Sequence, residues 1–195
     1  MLRLKSLTFI VFLIFIGITS YGQERKSNIG TSAPKLKIEK IYLSDGSVTT
    51  MDSAAGKLIV LDFWGTWCGP CIKSFSHMND LVLEFKDQPV QFIALGYEDT
   101  KNAQKILNKH NVLAWRAMDT DLSTFVDYAA WSIPLVIIIN QKGIVIAEMH
   151  PEEVTKQVIQ DALNGKKIQD ASEVGLPYFD PERTKKSFLR AAQRH

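Results

Sequence analysis

Two cysteines, Cys68 and Cys71, are the residues of this chain whose type and spacing point most directly to chemistry. They follow an apolar stretch at 58–64, and only Gly69 and Pro70 separate them. Because proline suits the first turn of a helix, we expect a helix to begin at about Cys68. Unpaired backbone N–H groups and the positive end of the helix dipole would then favour a thiolate at Cys68.

Cys71 lies three residues further on, so it would occupy the same helix face, one turn deeper than Cys68. From there its thiol can attack a disulfide formed at Cys68. The pair is therefore predicted to open and close as a ring, with Cys68 the more accessible sulfur.

A zinc site and a purely structural disulfide are the competing interpretations of the cysteine pair. Zinc needs four ligands, and the chain has no other cysteine. Its four histidines show no finger-like spacing: His77, His110, His150 and His195. A structural disulfide across so short a loop would stabilise least in the chain-entropy model. Redox chemistry is favoured, and no metal or other cofactor is expected.

The elements that position the cysteines follow an α/β pattern. The run 58–64 is typical of a parallel strand covered on both faces. A hairpin at 36–51 is expected to precede it. After the active-site helix we expect strands at 90–95, 113–118, 135–140 and 144–149, and helices at 101–110, 122–128 (capped by Asp121) and 152–163. These elements define one domain at 33–165.

The motif DFWGTWCGPC resembles the active site of thioredoxins. Its G-T-W-C portion and the surrounding chain, over roughly 33–163, are most similar to extracytoplasmic TlpA/ResA-like thiol–disulfide oxidoreductases. The resemblance implies a thioredoxin-like α/β fold with a central mixed sheet of four or five strands, helices on both faces and an N-terminal β-hairpin addition. It also implies Cys68 as the attacking nucleophile and Cys71 as the resolving thiol, the roles that their spacing indicates.

Asp62 stands inside the apolar strand six residues before Cys68. Burial there should raise the pKa of its carboxyl group. The thioredoxin resemblance implies that this aspartate serves the buried cysteine as proton acceptor and donor. A carboxylate bonded to nearby backbone for structure alone is the competing interpretation.

Glu98 and Asp99 are candidates for a proton relay, since ResA-like proteins place an acidic residue near the cysteine pair at this point. Alignment slightly favours Asp99, while an exposed turn carboxylate is the favoured account of both residues. The buried lysine of thioredoxins has no counterpart, because Leu95 or Gly96 takes its place.

The resemblance further implies that the Ile133–Pro134 peptide bond is cis and lies beside the cysteine pair. A cis proline there would expose the backbone N–H and C=O of Ile133 for strand-like pairing with a substrate chain. Trp67, Trp131 and Trp64 are candidates to line that surface. Packing in the core or at the rim is the competing and commoner interpretation of tryptophans in such a sequence.

The first 22 residues have the pattern of a signal peptide. Two basic residues precede an uncharged run at 7–18, and small residues precede Gln23. The apolar run is shorter than the roughly 20 residues that span a bilayer, although an uncleaved leader would anchor the protein. A lead-in at 23–32 and a tail at 166–195, with a short basic helix at 182–194, complete the expected organisation. Removing the leader lowers the formal charge from +2 to zero, so a nucleic-acid partner is not expected.

The expected function is that of an exported thiol–disulfide oxidoreductase. The Gly-Pro spacer resembles that of reducing thioredoxins and favours a reductant. By the same resemblance, its partners would be disulfide-containing exported proteins, such as cytochrome c precursors, and a membrane thiol reductase as electron donor. A copper-handling carrier of the Sco type shares the fold and is the alternative, although that family has three residues between its cysteines and a distal histidine.

Overall fold

The computed structural model describes residues 27–38, 41–99 and 101–168, together with Lys186 and Arg190. The expected signal peptide at 1–22 lies outside these residues, as does nearly all of the tail. Lys186 and Arg190 are helical and exposed. They fall within the helix expected at 182–194, whose other residues lie outside the described part.

In the described part of the chain, strands and helices alternate as the pattern predicts. The strands are β1 (Ile41–Tyr42), β2 (Val48–Thr49), β3 (Leu58–Phe63), β4 (Val90–Gly96), β5 (Trp115–Met118), β6 (Leu135–Ile139) and β7 (Val145–Met149). The helices are α1 (Gly69–Glu84), α2 (Lys101–Lys109), α3 (Ser123–Asp127) and α4 (Lys156–Leu163). Among these helices none is both long and apolar enough to cross a bilayer.

The strands form one mixed sheet in the order β2-β1-β5-β4-β3-β6-β7. β3 pairs in parallel with β4 and antiparallel with β6, so it lies near the centre of the sheet. Within this order, the five adjacent strands β5, β4, β3, β6 and β7 correspond to the expected thioredoxin-like sheet. The predicted hairpin, β1 and β2, adds to this sheet because β1 pairs antiparallel with β5.

Two apolar clusters cover the two faces of the sheet. Alternate residues of β3 enter opposite clusters, Val60 on one face and Leu61 on the other. The first cluster includes side chains of α1, α2 and α4, and the second includes Phe125 of α3. Helices therefore lie on both faces, as expected, and every residue of β3 is buried. This burial explains the near-continuous apolar run in the sequence.

The expected lead-in at 23–32 is partly integrated into the domain. Among its described residues, Gly30 donates its backbone N–H to Val145 O at 2.8 Å, and Asn28 donates its N–H to Glu148 at 2.8 Å. These bonds place the segment along β7. The domain therefore begins by Asn28 rather than at Ala33.

The end of the domain also differs from the sequence pattern. The helix expected at 152–163 is divided into a 3₁₀ turn, Pro151–Glu153, and α4. Thr155 separates them because its backbone is extended and its side chain accepts a hydrogen bond from the Val158 N–H at 3.2 Å. A threonine in this role starts a new helix.

The capping of α3 differs as well. Asp121 accepts from the Ser123 N–H at 2.9 Å, but the buried Asp119 reaches further into the helix and accepts from the Phe125 N–H at 2.8 Å. Burial raises the pKa of Asp119 to about 6. The N-cap residue is Leu122, whose side chain makes no capping bond, so the prediction that Asp121 occupies the cap is wrong. Asp121 and Asp119 accept from N–H groups of the first turn from positions before the cap.

Candidate active site

The first turn of α1 carries both cysteines. Cys68 is the N-cap residue, Pro70 occupies the first turn, and the Cys71 N–H donates to Cys68 Sγ at 3.2 Å. The two sulfurs form a disulfide, with 5.3 Å between the Cα atoms. The helix therefore begins where the position of Pro70 predicts. The N–H of Cys71, in the first turn, points at the sulfur that would become the thiolate on reduction.

Both sulfurs lie below the surface. Cys68 is 3% exposed and Cys71 is fully buried. The order of exposure agrees with the sequence prediction, but the expectation of an accessible Cys68 is wrong for the disulfide form. Cys68 packs into the apolar cluster on one face of the sheet, although Trp67, Gly69 and Pro70 beside it are exposed, and a sequence pattern does not report such packing.

Asp62 lies on the same face of β3 as Val60, the face whose apolar cluster contains Cys71 and Phe75. The side chain is 4% exposed, and its Oδ1 atom has no hydrogen-bond partner among the described residues. Burial raises the pKa of the Asp62 carboxyl group to about 7. The predicted direction of the shift is thus confirmed, and the group is poised to change protonation near neutral pH.

A cavity of about 10 Å³ adjoins Asp62 and is also lined by Phe75, Met78 and Asn79 of α1. Its size is near the smallest that holds one water molecule. The residue paired with Asp62 on β4 is Ala94. Because β4 contains no basic residue, this strand supplies no positive charge to lower the pKa of Asp62.

Glu98, rather than Asp99, faces the active-site loop. Glu98 is 4% exposed, and its carboxylate accepts from the Thr66 N–H at 2.6 Å and from Thr66 Oγ1 at 2.9 Å. Asp99 is exposed. The interpretation of Glu98 as an exposed turn residue is therefore wrong, because the chain continues inward for two residues beyond β4, whereas the same interpretation of Asp99 is confirmed. The slight preference for Asp99 as a proton relay stays a prediction.

The Ile133–Pro134 peptide bond is cis, as the resemblance implies. Trp67 is 40% exposed, whereas Trp64 and Trp131 are buried. Of the three tryptophans, only Trp67 is thus available to contact a substrate, and the suggestion that Trp64 and Trp131 line the surface is wrong. Trp64 is buried because it directly follows β3 and lies on the same covered face as Val60.

Tyr97 is the site residue that the sequence reading missed. The Trp67 indole Nε1–H donates a hydrogen bond to the Tyr97 hydroxyl. A signal was available: Ile93, Leu95 and Tyr97 alternate along the strand and all enter the second apolar cluster. This alternation predicts a buried ring, although it does not predict the partner of the hydroxyl group.

Comparison with known proteins assigns the family. The family model described as Redoxin matches residues 28–163. The chain belongs to the redoxin family. The thiol–disulfide oxidoreductase ResA of Bacillus cereus is 32% identical over 148 residues, 73% of this chain and 84% of the relative. ResA of Bacillus subtilis is 29% identical over 161 residues, 80% and 87% of the two chains.

Among solved structures, the thioredoxin domain of a thiol–disulfide oxidoreductase from Bacteroides vulgatus superposes with a TM-score of 0.60 at 16% identity. It covers 70% of this chain and 99% of that domain. This likeness confirms the thioredoxin-like fold. Together with the ResA relatives, it confirms the resemblance found in the motif. This member of the redoxin family is a thiol–disulfide oxidoreductase.

Proposed function

We propose that the chain is an exported reductant of protein disulfides that works through the Cys68/Cys71 dithiol. The observation that carries the proposal is the position of Cys71 and Asp62 in one buried region. A thiol there needs a base, and the Asp62 carboxyl group has a pKa of about 7.

In the proposed cycle, the Cys68 thiolate attacks one sulfur of a substrate disulfide and the other substrate sulfur leaves as a thiolate. Asp62 then takes the proton of the Cys71 thiol, and Cys71 attacks Cys68 Sγ. The second substrate sulfur leaves, the substrate has gained two electrons, and Cys68 and Cys71 are joined. The structure corresponds to this oxidised product.

The proposed substrate contacts are Trp67, Ile133 and Pro134. Ile133 and Pro134 are half-buried, and Trp67 is the exposed tryptophan of the loop before Cys68. An extended substrate segment could pair with the Ile133 backbone while a neighbouring side chain lies on the indole ring. Glu98 is retained as a member of the site through its bonds to Thr66, and Asp99 is not.

The reductant role and the compartment are supported by the sequence. The Gly-Pro spacer favours reduction, and the pattern of residues 1–22 supports export. Disulfide-containing exported proteins, such as cytochrome c precursors, are the proposed substrates, with a membrane thiol reductase as donor. The Sco-type copper carrier is not favoured, since the curated relatives are thiol–disulfide oxidoreductases.

Trapping of mixed disulfides tests the proposed roles of the cysteines. Cys71→Ser permits attack by Cys68 but not resolution, so it should accumulate covalent complexes with exported proteins, identifiable by mass spectrometry. Cys68→Ser is the matched control and should trap none of them. If Cys68→Ser captures the same partners, the assignment of the two roles is reversed.

The reduction potential tests the direction of electron flow. A value near that of thioredoxin, about −270 mV, supports a reductant, whereas one near that of DsbA, about −120 mV, would make the protein an oxidant. N-terminal sequencing of the protein from an exported fraction tests the compartment. A mature chain that begins at Gln23 is expected, and a full-length chain confined to the cytoplasm would contradict export.

A further inference from the structure

We propose that Tyr97 is a specificity-determining residue, which positions the Trp67 indole so that its exposed part contacts the polypeptide flanking a substrate disulfide. The proposal rests on the proposed function, in which Trp67 and Ile133 contact the substrate. It adds a residue that decides which disulfides are used well.

The first argument is the hydrogen bond between the two rings. Trp67 Nε1–H donates to the Tyr97 hydroxyl. The Tyr97 ring is 4% exposed and packs edge-on against Phe125, with 5.4 Å between the ring centroids. Its hydroxyl group therefore presents a rigidly held acceptor from the core side. The indole, which is 40% exposed, is fixed through its polar edge rather than through burial.

The second argument is the packing around Gly65. A Cβ atom on Gly65 would lie 3.2 Å from Trp67 Nε1, 3.2 Å from Tyr97 Cε1 and 3.3 Å from Ile133 Cδ1. Three side chains thus converge on a backbone position that lacks a side chain of its own. Tyr97 lies beside two of the proposed substrate contacts, Trp67 and Ile133, and Gly65 leaves the space in which they meet.

The third argument is that Tyr97 and its neighbour act on consecutive residues. Glu98 accepts two hydrogen bonds from Thr66, and Tyr97 accepts one from Trp67. The extension of β4 therefore holds the last two residues before Cys68. Burial raises the pKa of Tyr97 to about 12, so the hydroxyl group keeps its proton throughout the neutral range.

The chemistry of the indole indicates the kind of substrate that benefits. A flat apolar ring beside a site of strand-like pairing suits an apolar side chain of an extended polypeptide. A small disulfide without flanking residues has nothing to place there. The orientation of Trp67 should therefore matter for polypeptide disulfides and be irrelevant for small ones.

Tyr97→Phe tests this because it removes only the hydroxyl oxygen. With a peptide that holds one intramolecular disulfide flanked by apolar residues, kcat/KM should fall about fivefold through a higher KM, the loss of about one net hydrogen bond. With hydroxyethyl disulfide, kcat/KM should not change. The Trp67 indole N–H, assigned by NMR with Trp67→Phe, should exchange faster with solvent in Tyr97→Phe.

Tyr128→Phe is the matched control. Tyr128 is also a buried tyrosine, and its hydroxyl group donates to Pro34 O at 2.7 Å, outside the site. It should change neither substrate preference nor Trp67 exchange. Equal losses for both substrates in Tyr97→Phe, or no loss for the peptide, would overturn the proposal.

Trp67→Ala separates the inference from the proposed function. If the peptide KM does not change in Trp67→Ala, then the proposed contact with Trp67 is wrong, and the role of Tyr97 falls with it. If the peptide KM rises in Trp67→Ala but not in Tyr97→Phe, the contact stands and only the positioning role is wrong.

Discussion

Asp62 and Glu98 are carboxylates on neighbouring parallel strands or their extensions, and each is 4% exposed. They differ in their partners. Both oxygens of Glu98 accept hydrogen bonds from Thr66, whereas Asp62 Oδ1 has no partner among the described residues. Equal burial therefore does not imply an equal role. The bonded carboxylate fastens a loop, and the unbonded one is suited to gain and lose a proton.

Asp62→Asn should give the largest change, a gain in stability at neutral and alkaline pH. The folded-state pKa of Asp62, about 7, lies above the ordinary value of 3.8, so ionisation disfavours the fold. A pKa difference of this size corresponds to at most about 4 kcal/mol. Urea unfolding at about pH 8 should show the variant more stable than the wild type.

The size of this stability gain, but not its sign, changes with pH. Below about pH 4 both folded and unfolded chains carry a protonated Asp62, so the two proteins should be equally stable. As the pH rises, the unfolded chain loses the proton first, and the advantage of Asp62→Asn should grow until about pH 7. Because the raised pKa of Asp119 affects both proteins alike, their difference isolates Asp62. An advantage that shrinks as the pH rises would contradict this account.

The second prediction concerns the rate of resolution. In Asp62→Asn, attack by Cys68 should keep its rate, while displacement of the substrate by Cys71 slows about 10²-fold or more, the usual scale of general-base catalysis. Stopped-flow reduction of a disulfide peptide separates the two steps. In the wild type the slower step should accelerate with pH through about 7, and in the variant this acceleration should be lost.

Asp119→Asn is a matched control for resolution, since Asp119 is also a buried aspartate with a raised pKa. It caps α3 and should leave resolution unchanged. An unchanged resolution rate in Asp62→Asn would reduce Asp62 to a structural residue.

The third prediction concerns Glu98, the carboxylate whose oxygens are hydrogen-bonded. Glu98→Ala leaves the buried Thr66 N–H without an acceptor, so it should destabilise the protein by about 1–3 kcal/mol. Glu98→Gln should cost much less, because its amide oxygen can accept from the Thr66 N–H and its NH₂ group can donate to Thr66 Oγ1. Urea unfolding measures both. A Gln variant as unstable as the Ala variant would show that charge, rather than hydrogen bonding, is what the site requires.

The contrast between Asp62 and Glu98 also shows which features of the site could be predicted from the sequence. Asp62 could be predicted because its neighbours in β3 are all apolar, so any fold that buries the strand buries the carboxyl group as well. The two cysteines could be predicted because Pro70 sets the start of α1. The cis bond at Pro134 required the family resemblance, since a proline alone does not specify the isomer.

Glu98 was misjudged because its environment is set by a residue 32 positions away in the chain. The local apolar pattern identifies the strand β4, which ends at Gly96. It does not predict that the next two residues, Tyr97 and Glu98, stay buried. The low exposure of Cys68 has a similar cause, since it packs into an apolar cluster whose members come from elements distant in sequence. Alternation along β4 indicated that Tyr97 is buried, but only the fold brings its hydroxyl group to Trp67.

The smallest effect is expected at Asp99, the residue that alignment favoured over Glu98. Asp99 is exposed, and substitutions at such positions usually change stability by less than about 0.5 kcal/mol. Asp99→Asn should therefore leave the unfolding midpoint and both steps of disulfide exchange unchanged. Measured beside Glu98→Ala, it distinguishes two neighbouring carboxylates that the sequence could not separate. If Asp99→Asn slows resolution and Glu98→Ala does not, the relay candidate is Asp99, and the bonds from Thr66 to Glu98 serve the loop alone.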